Sequence, residues 1–139
     1  MSRLFICALL LAASSSALAE CWEISNLRGY TARRTQNYLI REDGFSGRTY
    51  ELKINGTEAV VGPPDIKCEA TSSMSALCVG EASNKGTVET WVISTSTGKA
   101  FYTQSIGGQG INNGAILFVG DITGNCNAHS SIIPPDVAR

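Results

Sequence analysis

The sequence predicts an all-β domain: a small antiparallel barrel or sandwich of about seven or eight strands, stapled by disulfides. Three observations predict it. Apolar and polar side chains alternate with a period of two along much of the chain, turn signals separate the alternating runs, and the cysteine count suits a disulfide framework.

The first residues predict export. Met1-Ser2-Arg3 is a short positive start, Leu4 to Ala13 is an apolar run, and Ala17-Leu18-Ala19 is a cleavage site of small side chains. The run is about half the roughly 20 residues a spanning helix needs, so a retained anchor is the weaker reading. A lipid-attachment box is the nearest alternative because Cys21 follows directly, but Glu20 stands where such a box requires a small residue. Residues 1–19 are therefore read as a signal peptide, 20–128 as one β domain and 129–139, with Pro134-Pro135, as a loose tail. The expected location is the periplasm, with secretion beyond the cell left open, and no membrane span.

Taken in order, Cys21 to Ser25 opens the domain as a strand, Thr31 to Asn37 passes as a short helix, and Tyr38 to Arg41 is a strand again. In Tyr50-Glu51-Leu52-Lys53-Ile54 the apolar residues share one face, and Thr57 to Val61 follows Asn55-Gly56. Asn-Gly between two such runs signals a hairpin, because both residues tolerate the positive φ of a type I′ turn. That turn also accounts for the formal glycosylation sequon Asn55-Gly56-Thr57. Leu77 to Glu81 is the next strand and Asn84-Lys85-Gly86 a turn. A second hairpin joins Thr87–Ser94 to Ala100–Ile106 across Thr95–Lys99, with both arms rich in β-branched and aromatic residues. Ala115 to Val119 completes the set.

Five cysteines are present, and Cys7 leaves with the signal. The remaining Cys21, Cys68, Cys78 and Cys126 allow three pairings. Cys21–Cys126 with Cys68–Cys78 is favoured, since the first joins the ends of the domain, which a closed sheet would bring together, and the second pinches a short loop. The long loop contributes on the order of 4 kcal/mol and the short one somewhat under about 3 kcal/mol. These spacings are not those of a zinc site, and the sole histidine, His129, lies in the tail, so no metal or cofactor is expected. The formal net charge of −1, one unit more negative without Arg3, gives no electrostatic footprint for nucleic acid.

Catalytic parts are scarce, and no enzymatic activity is expected. A Ser or Cys nucleophile needs a neighbouring base, and His129 is the only histidine. Glu42, Asp43, Glu89 and Asp121 are candidates for a glycosidase pair, but their spacing singles out no two of them. Gly107 to Gly114 departs from G-x-G-x-x-G at its last glycine and opens no helix, so it reads as a long inter-strand loop presenting Gln109, Asn112 and Asn113. Glu69 to Leu77 reads as a polar loop carrying Ser72, Ser73, Met74 and Ser75; pinned at both ends by Cys68–Cys78, it would lose less entropy on binding. Arg28, Arg33, Arg34 and Arg41 suit either an acidic partner or a solvated edge that resists strand-to-strand aggregation.

An exported, disulfide-containing small β protein of this kind resembles the periplasmic inhibitors of cell-wall hydrolases: immunity proteins of type VI secretion amidases and the lysozyme inhibitors. Ser46-Gly47-Arg48-Thr49-Tyr50 is similar to the S-G-x-x-Y motif of one lysozyme-inhibitor family. The resemblance implies that Ser46 enters the enzyme cleft, although the family's later lysine has no counterpart, since Lys53 comes too soon. The expectation is a periplasmic inhibitor or immunity protein that blocks a peptidoglycan hydrolase with Ser46 and the two loops above. A carbohydrate- or lipid-binding barrel, with an interior cavity and Trp22 or Trp91 for stacking, is the alternative; a small hydrolase is the third reading.

Overall fold

The alternating runs become eight strands in the computed structural model, which describes residues 19–82, 85–108 and 110–127. Residues 1–18 of the expected signal, Asn84 of the expected Asn84–Gly86 turn, Gln109 and the expected tail with His129 lie outside the described residues, while Lys85 and Gly86 of that turn open a strand. The strands are β1 (Glu20–Arg33), β2 (Ile40–Asn55), β3 (Glu58–Gly62), β4 (Ile66–Ser72), β5 (Ser75–Ala82), β6 (Lys85–Ser94), β7 (Lys99–Ile106) and β8 (Gly114–Gly124). Each pairs antiparallel with the next, and β8 pairs back onto β1, so the sheet closes as an up-and-down barrel. Closure satisfies the backbone groups that an open sheet would leave at its two edges. Among the described residues no helix is long and apolar enough to cross a membrane.

Successive connections alternate between the two ends of the barrel. Gly56-Thr57, Ser73-Met74 and Thr95–Gly98 lie at one end, the base; Arg34–Leu39, Pro63–Asp65, Gly107-Gly108 and Gly110–Asn113 lie at the other, the mouth. The base is closed by the disulfide Cys21–Cys126, which ties the start of β1 to the chain just beyond β8, with Cα atoms 5.2 Å apart. Cys68–Cys78 crosses from β4 to β5, with Cα atoms 4.3 Å apart. Both bridges are the expected ones.

Three expectations need correction. Thr31–Asn37 is not a helix: Thr31 to Arg33 continue β1, where Thr31 is buried inward, and only Arg34–Gln36 form a single 3-10 turn. The segment has no apolar stripe for a helix to bury. The Cys68–Cys78 segment is not a loop but a β4–β5 hairpin turning at Ser73-Met74. Its inward period is carried by Cys68, Ala70, Ala76 and Cys78, small residues whose alternation is faint in hydrophobicity. The Asn55 hairpin forms, but Asn55 pairs with Glu58 as the last ladder residue, and Gly56 and Thr57 form the loop. Gly56, at φ 61, occupies the first central position, the one a type II′ turn reserves for glycine.

The core fills the base half. Trp22, Ile24, Leu52, Ile54, Ile93 and Phe118 point inward, and Ala100 and Gly120 face each other across β7 and β8 to make room for them. A Cβ on Gly120 would lie 2.9 Å from the Leu27 Cδ2 methyl, so this position has no space for a side chain. β1 and β2 are bent by facing irregularities: Asn26, at φ 57, on one strand and Ser46-Gly47-Arg48 on the other. Such bulges raise local twist and let long strands wrap the barrel. β3 and β4, at 5 and 7 residues, are far shorter than β1 and β2, at 14 and 16. Pro63 and Pro64 lack N–H donors and end β3 early, so the wall is low there, beside the upper half of β2.

Candidate functional site

The mouth half of the barrel is hollow. An inner cavity of about 190 Å³ lies between β2, the β3–β4 connection, β6 and β7, lined by Phe45, Tyr50, Glu89, Trp91, Tyr102 and Gln104, with Arg48, Pro63 and Ile66 toward the rim. An outer cavity of about 230 Å³ lies against β1, β7 and β8, lined by Arg33, Ile106, Asn112 and Ile116. Phe45 and Gln104 line both, so Phe45 stands as a partition between them.

The β6–β7 hairpin builds the inner wall. With Thr95–Gly98 as its turn, Trp91 falls opposite Tyr102 and Glu89 opposite Gln104, all four on the inward face. The Trp91 and Tyr102 rings are 4.5 Å apart at 42°, and Tyr50 approaches Trp91 at 5.5 Å from β2. Phe45 meets Tyr50 at 5.9 Å and sets its edge on Phe118 of the core at 5.1 Å and 80°. Four rings therefore surround one acid–amide pair, in which Gln104 Nε2 donates to Glu89 Oε1 over 2.7 Å. Burial first, then the Glu89 carboxylate, then Tyr50 push the Tyr102 phenol well above its usual range, so it stays a neutral donor. Among the described residues Trp91 Nε1 is buried without a hydrogen-bond partner, a state that typically costs about 1–3 kcal/mol.

Glu89 is also the one interior acid among the four carboxylate candidates. Glu42 and Asp43 line a shallow groove outside β1 and β2, and Asp121 is bound by Lys99 Nζ at 2.5 Å and by Asn26 Nδ2 at 3.0 Å. Among the described ion pairs, Arg33–Asp43 at 3.3 Å, Lys53–Glu51 at 2.7 Å and Lys99–Asp121, none includes Glu89. The one close group of potential metal ligands among the described residues is Cys21, Glu51 and Cys126, whose two sulfurs are spent on their disulfide.

The expected contact residues do not gather in one place. Ser46 is exposed on the outer wall in the β2 bulge, next to Gly47 at φ 74, and borders the groove with Glu42 and Asp43. Ser72, Ser73, Met74 and Ser75 form the turn at the base, where the Ser72 and Ser75 hydroxyls bond at 2.6 Å and Ser72 Oγ accepts the Met74 N–H at 3.1 Å. Asn112 lines the outer cavity at the mouth, and Asn113 donates its Nδ2 to the Gly108 carbonyl. Base and mouth are separated by the strand length, roughly 20 Å for eight tilted residues. Of the arginines, Arg33 reaches the outer cavity, Arg34 Nη1 donates to the Gly110 carbonyl at 3.2 Å, and Arg28 and Arg41 are exposed. Trp22 is in the base core, so only Trp91 of the two tryptophans meets a cavity.

Phe45, Tyr102 and Gln104 are not marked as site residues by the sequence, and Tyr50 enters there only as the last residue of Ser46–Tyr50 and as part of a strand face. The available signal was a polar residue on the apolar face of each hairpin arm: Glu89 two before Trp91, and Gln104 two after Tyr102. No protein-family model matches the chain, and no curated protein or solved structure is detectably similar to it.

Proposed function

We propose that this protein is an exported binding protein whose barrel mouth holds a small ligand, with no chemistry performed on it. The observation that carries the reading is the Glu89–Gln104 pair set inside a ring of Phe45, Tyr50, Trp91 and Tyr102 beneath an open rim. A concave, mostly aromatic site with a few convergent polar groups is the common form of a small-molecule site. Rings supply contact area and stacking, while the acid and amide fix orientation. Against a panel of neutral sugars, fatty acids, amines and small carboxylates, one class should change the tryptophan emission saturably. Trp91→Phe should abolish that response while circular dichroism stays that of the parent. Binding to no class, or binding that leaves the emission unmoved, would overturn the reading.

A second reading, inhibition of a peptidoglycan hydrolase in the periplasm, is favoured by one observation. Ser46 stands exposed at a bulge beside Gly47, which frees it from the β1–β2 ladder. Because the Ser72–Ser75 turn and the Asn112–Asn113 loop lie at opposite ends, one enzyme cleft takes at most one of them. Ser46 borders neither end, so its face is the first to test: Ser46→Trp should weaken capture of a purified lysozyme or amidase if this reading holds, and leave ligand uptake at the mouth intact.

A further inference from the structure

We infer that the ligand of the inner cavity is an organic cation, an ammonium group of the size carried by choline, held by Glu89 as counter-charge and by the faces of Tyr50, Trp91 and Tyr102. This rests on the reading of the mouth as a ligand site and adds the charge of what enters it.

Glu89 is the acid that lines this cavity. Its carboxylate is inside the barrel and half-buried, its described partner is the neutral Gln104 amide at 2.7 Å, and none of the described ion pairs includes it. Taking a charge out of water without a counter-ion is unfavourable, so such a group is usually paired. Gln104 occupies Oε1, and among the described residues Oε2 takes no hydrogen bond.

The walls point the same way. Aromatic faces carry partial negative charge and attract a cation placed over them, by about 0.5–1 kcal/mol when exposed and about 2 kcal/mol when desolvated. Trp91, the ring type best suited to this, has Tyr102 at 4.5 Å and Tyr50 at 5.5 Å around it, and Glu89 is its neighbour at the next inward position of β6. A carboxylate beside three such rings repels an anion from both components of the site.

Arg48 is the one basic residue lining this cavity among the described residues, and it is exposed at the rim. An anionic ligand would need Arg48; a cationic one would be opposed by it. The two cases therefore give opposite results on its removal.

The test titrates the full-length exported protein, and its Glu89→Gln and Arg48→Ala variants, with choline and with the uncharged analogue in which carbon replaces the ammonium nitrogen. Choline should bind wild type about tenfold or more tightly than the analogue, and Glu89→Gln, which keeps a partner for Gln104, should weaken choline by about tenfold. Arg48→Ala, an exposed change that leaves the core untouched, should tighten choline binding by about two- to fivefold. Analogue and choline binding equally, or Glu89→Gln leaving choline affinity unchanged, would overturn the cation while the mouth remains a ligand site. Binding by neither choline nor any member of the wider panel would overturn the ligand site itself.

Discussion

Removing the two disulfides separately should destabilise the barrel unequally, and the order follows from where they lie. Cys21–Cys126 closes a loop with a sequence separation of 105, and Cys68–Cys78 one of 10. Loop-closure entropy makes the first worth about 4.7 kcal/mol at 25 °C and the second about 2.8 kcal/mol, a gap of about 2 kcal/mol. Replacing either pair with alanine also removes a sulfur from the interior, since Cys21 and Cys78 are 2% and 3% exposed. That cavity cost, on the order of 1 kcal/mol, falls on both and leaves the gap standing. Urea denaturation under non-reducing conditions measures it. Cys21→Ala/Cys126→Ala should also show the larger m-value, because its unfolded chain expands most when the long loop opens. Equal destabilisation of the two variants, or a loss below about 2 kcal/mol for the long bridge, would show that β8–β1 pairing alone seals the barrel and that the reasoning is wrong.

The β1–β8 seam itself can be probed at Gly29, where a Cβ would lie 2.1 Å from the Leu117 carbonyl oxygen, against nothing within 4 Å at Gly86. Gly29→Ala should destabilise by about 3 kcal/mol and Gly86→Ala by less than about 0.5 kcal/mol in thermal denaturation; similar values for the two would refute the close approach. Tyr102 gives a pH prediction, since its phenol is raised above the ordinary 10.0 in the folded chain and returns there on unfolding. Its contribution is full below pH 10 and is lost as pH rises beyond it, because the unfolded chain releases that proton first. Wild type should therefore lose stability above pH 10 more steeply than Tyr102→Phe, and parallel profiles would contradict the burial that causes the shift.

How much of this was legible can be seen at two hairpins, β6–β7 and β1–β2. Once Thr95–Gly98 is taken as a turn, the pairs Trp91–Tyr102 and Glu89–Gln104 follow by counting outward, and half of the inner cavity is implied. The other half was hidden by a change of parity. Tyr50, Leu52 and Ile54 are inward at even positions of β2, whereas Phe45 is inward at an odd one, because Ser46-Gly47-Arg48 is a bulge. β1 does the same at Asn26, passing from Trp22 and Ile24 to Leu27 and Thr31. A period-two reading has no means of seeing both slips occur at one level, since each is set by the partner strand. β4 escaped notice for a different reason: its inward residues, Cys68 and Ala70, are too small to mark an apolar face.

The hollow mouth has a physical origin in the same details. An eight-stranded barrel is just wide enough for its side chains to fill, so a cavity forms only where inward side chains are withheld or a strand stops short. Below the level of the bulges, Trp22, Ile24, Leu52, Ile54 and Ile93 leave no such room. Above it, β1 offers Gly29 between Leu27 and Thr31, β5 offers Gly80 opposite Thr87, and the β3–β4 ladder ends at the Val61–Ile66 pair. The parity change is what brings Phe45 inward at this level, where its edge rests on Phe118 and its flank faces Tyr50 and Tyr102. Without the bulge, the period that places Tyr50 inside would turn Phe45 out, and the two cavities would run together over an uncovered Phe118. Phe45 therefore serves both halves: it seals the apolar core from the mouth and completes the aromatic wall around Glu89. The bulge carrying Ser46 on its outer side is thus the device that shapes the site on its inner side.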